Sequence, residues 1–212
     1  MARGMFITLE GGEGSGKSTQ IRLLADALRA MGRSVVTTRE PGGTPEAEKI
    51  RDFLVKRDGG NWTPMAECML LYAARQMHVE NLIKPALSEG KIVVSDRFSD
   101  STRAYQSFGH GLPLETIEQI DHLVLGGFKP DLTFILDLPV ETGLARAGKR
   151  MDADQSQEDR FEKLGTSFHD RLRHGYLQIA QANPERCVVI DATRSIEKIF
   201  ADLAKHVQER LS

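Results

Sequence analysis

Residues 11–18, Gly11-Gly12-Glu13-Gly14-Ser15-Gly16-Lys17-Ser18, fit the pattern G-x-x-x-x-G-K-[ST] and lie between an apolar run, Met5–Leu9, and a helix-forming stretch starting at Ser18. Few folds accept this order of strand, glycine-rich turn and helix. A backbone that wraps an anion with its N–H groups needs glycines, because side chains would block the approach. The helix that follows turns its positive end toward the same anion. Lys17 has the reach for the β- and γ-phosphates of a nucleotide, and the Ser18 hydroxyl is a ligand for Mg²⁺. Gly11 to Thr19 therefore read as a nucleoside triphosphate cradle, with Mg²⁺ as the ion expected beside it.

The rest of the chain is consistent with that cradle. Short apolar or β-branched runs at Met5–Leu9, Ser34–Thr38, Ile92–Ser95, Leu132–Leu136 and Cys187–Ile190 predict five strands. Helical patterns separate them at Ser18–Met31, Ala47–Val55, Met65–Glu89, Leu114–Leu125, Val140–Arg150, Gln157–Gln181 and Ile196–Leu211. Alternating strands and helices imply an α/β, P-loop NTPase-type three-layer fold, a five-stranded parallel sheet flanked by helices. Ligands of such sheets bind beyond the carboxyl ends of the strands. There the chain places Glu10, Arg39-Glu40, Asp96-Arg97, Asp137 and Asp191, a ring of charge on one sheet edge. No repeat, low-complexity tract or linker interrupts the sequence, so one domain over 1–212 is expected.

A net charge of −2 argues against bulk nucleic-acid binding, which usually needs a basic face. No apolar run approaches 18 uncharged residues, so no membrane span is expected, and the start lacks a signal-peptide pattern, which favours the cytoplasm. Cys68 and Cys187 sit in apolar surroundings and read as buried reduced thiols.

The cradle does not say where the phosphoryl group goes: water, a protein or a small acceptor all fit it. An acceptor that is itself a phosphate needs fixed cations, preferably arginines with their paired donors. Arg39 and Arg97 follow predicted strands, and Arg51 and Arg75 lie on the helical segments between them. Any one of these could be a solvated surface charge; four in one inter-strand region point to an anion pocket. His78 has no partner pattern for acid–base or metal chemistry and reads as a satisfied helix histidine.

Several ordered motifs carry a resemblance to the bacterial thymidylate kinases. They are Glu10 to Thr19, Thr38-Arg39-Glu40-Pro41-Gly42-Gly43-Thr44, Tyr72-Ala73-Ala74-Arg75-Gln76-Met77-His78, Asp96-Arg97-Phe98, Ala104-Tyr105-Gln106 and Lys129-Pro130-Asp131-Leu132-Thr133. The resemblance runs nearly end to end. It implies transfer of the ATP γ-phosphoryl group to dTMP and a homodimeric enzyme. It implies that Arg39 and Arg97 clamp the acceptor phosphate, with Arg51 nearby, and that Asp96 serves near phosphates and metal. Arg75 resembles the arginine that reads a thymine carbonyl, while Thr102 and Gln106 match positions facing the base. Tyr105 resembles the tyrosine that fills the space of a ribose 2′-hydroxyl, and Glu13 an acid near the acceptor's 3′-hydroxyl. On the residues alone, a core aromatic is the alternative for Tyr105, and Pro41-Gly42-Gly43 reads as a turn, which is compatible with the functional reading.

Met151–Gln157 is polar, lacks apolar periodicity and is bordered by Arg146, Lys149, Arg150 and Arg160. It reads as a loop within a lid at about 146–160. The family places a catalytic arginine either in the P-loop or in the lid. Glu13, Gly14 and Ser15 exclude the first arrangement, so the resemblance implies Arg150 as the catalytic arginine, with Arg146 second and near ATP. Asp159-Arg160-Phe161-Glu162 resembles the motif that follows the lid; the bland alternative for the whole cluster is an exposed, salt-bridged helix end. The chain departs from the family at Leu71, where many relatives stack an aromatic on thymine. It also departs at Ser107-Phe108-Gly109-His110-Gly111, in place of a loop richer in glycine and arginine, and at Asp152 and Asp154 in the lid. Two rivals stay open: a kinase for another nucleoside monophosphate or a deoxynucleoside, and a regulatory NTPase switch. The switch would need a water-positioning residue and would leave the acceptor arginines unexplained.

Overall fold

The computed structural model describes residues 3–56, 60–154, 160 and 164–211, the side chains of 150–154 excepted. Five strands, β1 (Phe6–Glu10), β2 (Val35–Arg39), β3 (Ile92–Asp96), β4 (Leu132–Asp137) and β5 (Cys187–Asp191), form one parallel sheet in the order β2-β3-β1-β4-β5. Each lies within a residue of its predicted span. The central strands are apolar because both of their faces are covered.

Successive side chains alternate between the layers. Ile7, Leu9, Val94, Phe134 and Leu136 pack with helices α1 (Lys17–Ala30) and α9 (Ile196–Leu211). Phe6 and Val93 face the other way, against α3 (Pro64–His78), α4 (Lys84–Ser88) and α6 (Leu114–Leu125). Ile21, Leu24, Ala25 and Leu28 of α1 are buried at the i, i+3, i+4, i+7 spacing of an amphipathic helix. Helix α2 (Pro45–Val55) and α3 start alike. Thr44 and Thr63 accept hydrogen bonds from the Ala47 and Ala66 amides, and a proline opens each first turn. Cys68 and Cys187 are buried free thiols, as expected.

Three local expectations are corrected. The single helix predicted over Met65–Glu89 is three segments, α3 and α4 joined by a π-helical stretch at Val79–Ile83. Residues 99–109, where the sequence predicts a loop from Ser107 on, form a short helix α5 (Ser99–Thr102) running into a π-helical segment, Arg103–Gly109. Its backbone is held by close packing on α8 (Thr166–Ala182): a Cβ on Gly109 would lie 2.5 Å from the Phe168 ring, and one on Gly175 2.5 Å from Phe108. Helix α7 (Val140–Asp154) continues four residues past Arg150, where a loop was expected. Residues 151–154 contain neither glycine nor proline to stop it. The predicted helix start at Gln157 lies outside the described residues, which place α8 from Thr166.

The register brings the charged strand ends together. Arg39 pairs with Asp96, and Asp96 with Leu9, one residue before Glu10.

Candidate active site

A cleft of about 490 Å³ opens at this edge. Its walls include Glu13 to Thr19 from the glycine-rich loop and start of α1, and Arg39, Arg51, Leu71, Arg75, Asp96, Arg97, Thr102, Tyr105 and Gln106. All the acceptor-side residues predicted from sequence thus line one space with the triphosphate cradle. Gly11 and Gly12 lie behind the loop, outside the cleft wall.

The loop needs its glycines. Gly14 and Gly16 have φ of 68° and 92°, a region costly for other residues. A Cβ on Gly14 would also fall 2.1 Å from the Gly143 carbonyl of α7. Lys17 is buried, and its ammonium donates to the Gly11 and Gly12 carbonyls at 3.1 and 3.2 Å. Burial, reinforced by the Arg97 charge, lowers its pKa. This favours the arrival of an anion, which would restore a counter-charge.

Ser18 Oγ donates to Asp96 Oδ2 at 3.2 Å. Two hard oxygens that far apart suit neighbouring positions of an octahedral Mg²⁺, about 3 Å apart for metal–oxygen bonds near 2.1 Å. Among the described residues no three His, Cys, Asp or Glu side chains cluster as a metal site. The donor set therefore fits Mg²⁺ held largely by phosphate and water rather than an all-protein cage.

Arg97 is the hub of the acceptor side. Its φ of 71° makes it the one non-glycine left-handed residue among those described. It donates to Glu13 Oε1 at 2.8 Å, Tyr176 Oη at 2.9 Å, the Gly11 carbonyl at 3.1 Å and Ser101 Oγ at 3.2 Å. Its guanidinium lies 5.0 Å from the Tyr105 ring centre, and the Tyr105 hydroxyl donates to Glu13 Oε1 at 2.6 Å. Beneath, fully buried Glu10 accepts from the Phe98 amide at 2.7 Å, Ser101 Oγ at 2.5 Å and Tyr176 Oη at 3.3 Å. Burial, with Asp100 nearby, raises Glu10 to about 7.

Arg75 is almost fully buried. It donates to Glu40 at 2.7 Å, Thr102 Oγ1 at 3.0 Å and the Phe98 carbonyl at 3.2 Å, while its Nη1 has no partner among the described residues. Glu40 also takes His78 Nδ1 at 2.9 Å, and His78 Nε2 meets Thr38 Oγ1 at 2.7 Å, so His78 is a satisfied core residue as read from sequence. Burial pushes the Glu40 carboxyl up, but Arg75 and His78 outweigh it and hold its pKa low. Gln106 gives its amide nitrogen to Glu67 at 2.6 Å and leaves Oε1 without a partner among the described residues. Arg39 is half exposed and reaches Glu48 at 3.1 Å; Arg51 donates to the Pro41 carbonyl at 2.9 Å.

The lid residues are less gathered. Arg146 does not line the cleft; it sits against the outer side of the loop at Gly14 and reaches the Ala192 carbonyl at 3.4 Å. The side chains of Arg150 and of most of the predicted lid lie outside the described residues. Arg160 instead binds the Leu54 carbonyl at 2.9 Å and Glu67 at 2.5 Å, on the acceptor side.

Sequence reasoning assigned no role to Glu10, Glu67, Ser101 or Tyr176. For Glu67 a signal existed: Glu67, Leu71 and Arg75 follow the i, i+4, i+8 spacing of one helix face.

Residues 9–203 match the family described as thymidylate kinase. The chain belongs to the thymidylate kinase family. It is 52% identical to the thymidylate kinase of Caulobacter vibrioides over 211 residues, covering 100% of this chain and 99% of that one. It is 49% identical to that of Trichlorobacter lovleyi, covering 98% and 99%. The crystal structure of thymidylate kinase from Ehrlichia chaffeensis superposes with a TM-score of 0.78 at 36% identity, over 97% of this chain and 99% of that chain. That structure and this chain share one arrangement over nearly their whole lengths.

Proposed function

We propose that this chain transfers the γ-phosphoryl group of ATP to dTMP, giving ADP and dTDP. One observation carries the reading: the triphosphate cradle and the acceptor arginines line a single cleft, so two anions can lie side by side with fixed cations between them. Membership of the family supports the same substrates.

Transfer is direct, with an oxygen of the acceptor phosphate attacking in line and no covalent enzyme intermediate. The glycine-rich loop and Lys17 hold the donor phosphates. Ser18 and Asp96 would hold Mg²⁺, which when bound would offset the phosphate charge. Arg97, fixed by Glu13, Tyr176 and Ser101, presents its charge to the acceptor phosphate, with Arg39 and Arg51 at the rim. Tyr105, tied to Glu13, closes the sugar side, and Arg75, Thr102, Gln106 and Leu71 form the base end.

The P-loop has no arginine between Gly12 and Lys17, so Arg150, at the start of the last turn of α7, supplies the catalytic arginine charge. The reading treats residues 1–212 as one domain with a lid at about 146–160, acting in the cytoplasm as a homodimer. Exposed Phe53, Met65, Met69 and Leu123, spread over the adjoining helices α2, α3 and α6, support an apolar self-association face. No helix among the described residues is long and apolar enough to cross a membrane.

The test is a panel of nucleoside monophosphates with coupled ADP detection. ADP formation that depends on dTMP, and is strongest with it, is the expected result. Equal ADP formation without any monophosphate would return the chain to the switch class.

A further inference from the structure

Glu67 does not line the cleft, yet it holds two residues that bear on it. Its side chain is 1% exposed. One carboxylate oxygen takes the Gln106 amide nitrogen at 2.6 Å, the other takes Arg160 at 2.5 Å, and the His110 ring nitrogen lies 3.9 Å away. Arg160 is anchored in turn on the carbonyl of Leu54, itself a cleft residue.

A carboxylate only accepts hydrogen bonds, and an amide donates only from its nitrogen. A carboxylate paired with arginine therefore dictates which end of Gln106 faces it. The NH₂ group must point at Glu67, which leaves Oε1 as the amide's free end. Among the described residues that oxygen is buried and has no partner, and the same holds for Arg75 Nη1. Both side chains line the cleft and both adjoin Thr102, the first four residues along the same helical run and the second through a 3.0 Å hydrogen bond. The base end thus offers one fixed acceptor beside one fixed donor.

We infer that Glu67 is a positioning residue for base choice: by locking the Gln106 amide it makes the cleft complementary to the N–H and C=O edge of thymine or uracil and repellent to cytosine. Cytosine presents a lone pair and an amino group at the same places, so both contacts would be donor against donor or acceptor against acceptor. Site preorganisation through a second residue, rather than through Gln106 alone, explains why a buried charge is kept 1% exposed next to the pocket. Arg160, the last residue of the predicted lid, pins the same carboxylate and so ties the lid's far end to the base pocket.

The inference rests on the proposed reaction, and the experiment separates the two. The kcat/KM values for dTMP, dUMP and dCMP are measured for wild type, Glu67→Gln, Glu67→Asp and Arg160→Gln, with circular dichroism melting of each. Glu67→Gln keeps the shape but can donate as well as accept, so Gln106 is free to flip. The dTMP/dCMP ratio should then fall about tenfold or more, mainly through KM for the monophosphate. The dTMP/dUMP ratio, which reports only the methyl group, should stay fixed, as should KM for ATP. Glu67→Asp, still an acceptor only, should restore much of the dCMP discrimination. Should Glu67→Gln not fold, Arg160→Gln, at a less buried position, removes the partner that holds the Glu67 carboxylate against Gln106 and should move the ratio in the same direction. A wild type that turns over dTMP selectively while the folded variants keep its dTMP/dCMP ratio overturns the inference and leaves the reaction standing. A wild type that does not use dTMP overturns both.

Discussion

Arg97→Ala is the perturbation whose consequences the structure specifies best. The wild-type side chain makes four hydrogen bonds at 2.8–3.2 Å, one of them a salt bridge to Glu13 with both side chains about 15% exposed. Removing one partner of a largely buried pair costs about 3–5 kcal/mol when the other is left alone. Glu13 keeps its 2.6 Å bond from Tyr105, so the loss should lie at the low end. Alanine keeps the left-handed backbone at φ 71°, so the strain remains; Arg97→Gly should recover roughly 1 kcal/mol of it. Loss of one charged partner for the acceptor phosphate costs a further 1.5–3 kcal/mol or so in monophosphate binding, about a tenfold to hundredfold weaker Kd. Calorimetric titration with dTMP and with ATP, on protein shown folded by thermal melting, reads the two pockets separately. The expected result is weakened dTMP binding with ATP binding nearly intact. Loss of ATP binding with dTMP binding retained would refute the assignment of the two pockets.

Other expectations follow from the same geometry. Lys17→Ala should remove most turnover, because a methyl group cannot offset charge on the transferred phosphoryl; near-normal kcat would sink the cradle assignment. Arg150→Ala should lower kcat more than it changes either KM, and an unchanged kcat with a collapse in Arg146→Ala would move the role to Arg146. Tyr105→Ala should narrow the preference for dTMP over its ribose counterpart, from a wild-type margin of up to about a hundredfold; a fixed kcat/KM ratio with falling activity would leave Tyr105 a packing residue. Burial raises Glu10 to about 7 from its ordinary 4.5, so the folded protein retains a proton that the unfolded chain loses. That contribution to stability, up to roughly 3 kcal/mol, is fully present below pH 4.5 and disappears as pH rises to 7. Glu10→Gln, always neutral, should flatten this part of the stability profile, and an identical slope in urea melts from pH 5 to 7.5 would contradict the assignment.

The strands were legible because parallel strands covered on both faces must be apolar, and the charged residues that close them mark the functional edge. The glycine-rich loop and the helix that follows it were legible because a phosphate cradle would set their spacing. Helix α5 and its π-helical continuation were not. Ser99, Asp100, Ser101 and Thr102 look like turn formers, yet they are helical because their polar groups find distant buried partners. Asp100 pairs with Arg186 at 2.6 Å, Ser101 with Glu10 at 2.5 Å and Thr102 with Arg75 at 3.0 Å. No local window contains those contacts. The same reason hid Tyr176, which meets Glu10 across 166 residues of chain. Glu67 was within reach of a periodicity argument, but its meaning lies in Gln106, whose place on a π-helical turn the sequence does not disclose.

The central claim is that one cleft seats donor and acceptor together, and following labelled phosphate tests it most directly. The protein is incubated with ATP labelled at the γ-phosphoryl group, Mg²⁺ and dTMP, and the products are separated. The account predicts label in dTDP, in amounts equal to the ADP formed, and little label released as inorganic phosphate. Label that accumulates as inorganic phosphate at a rate indifferent to dTMP would contradict it.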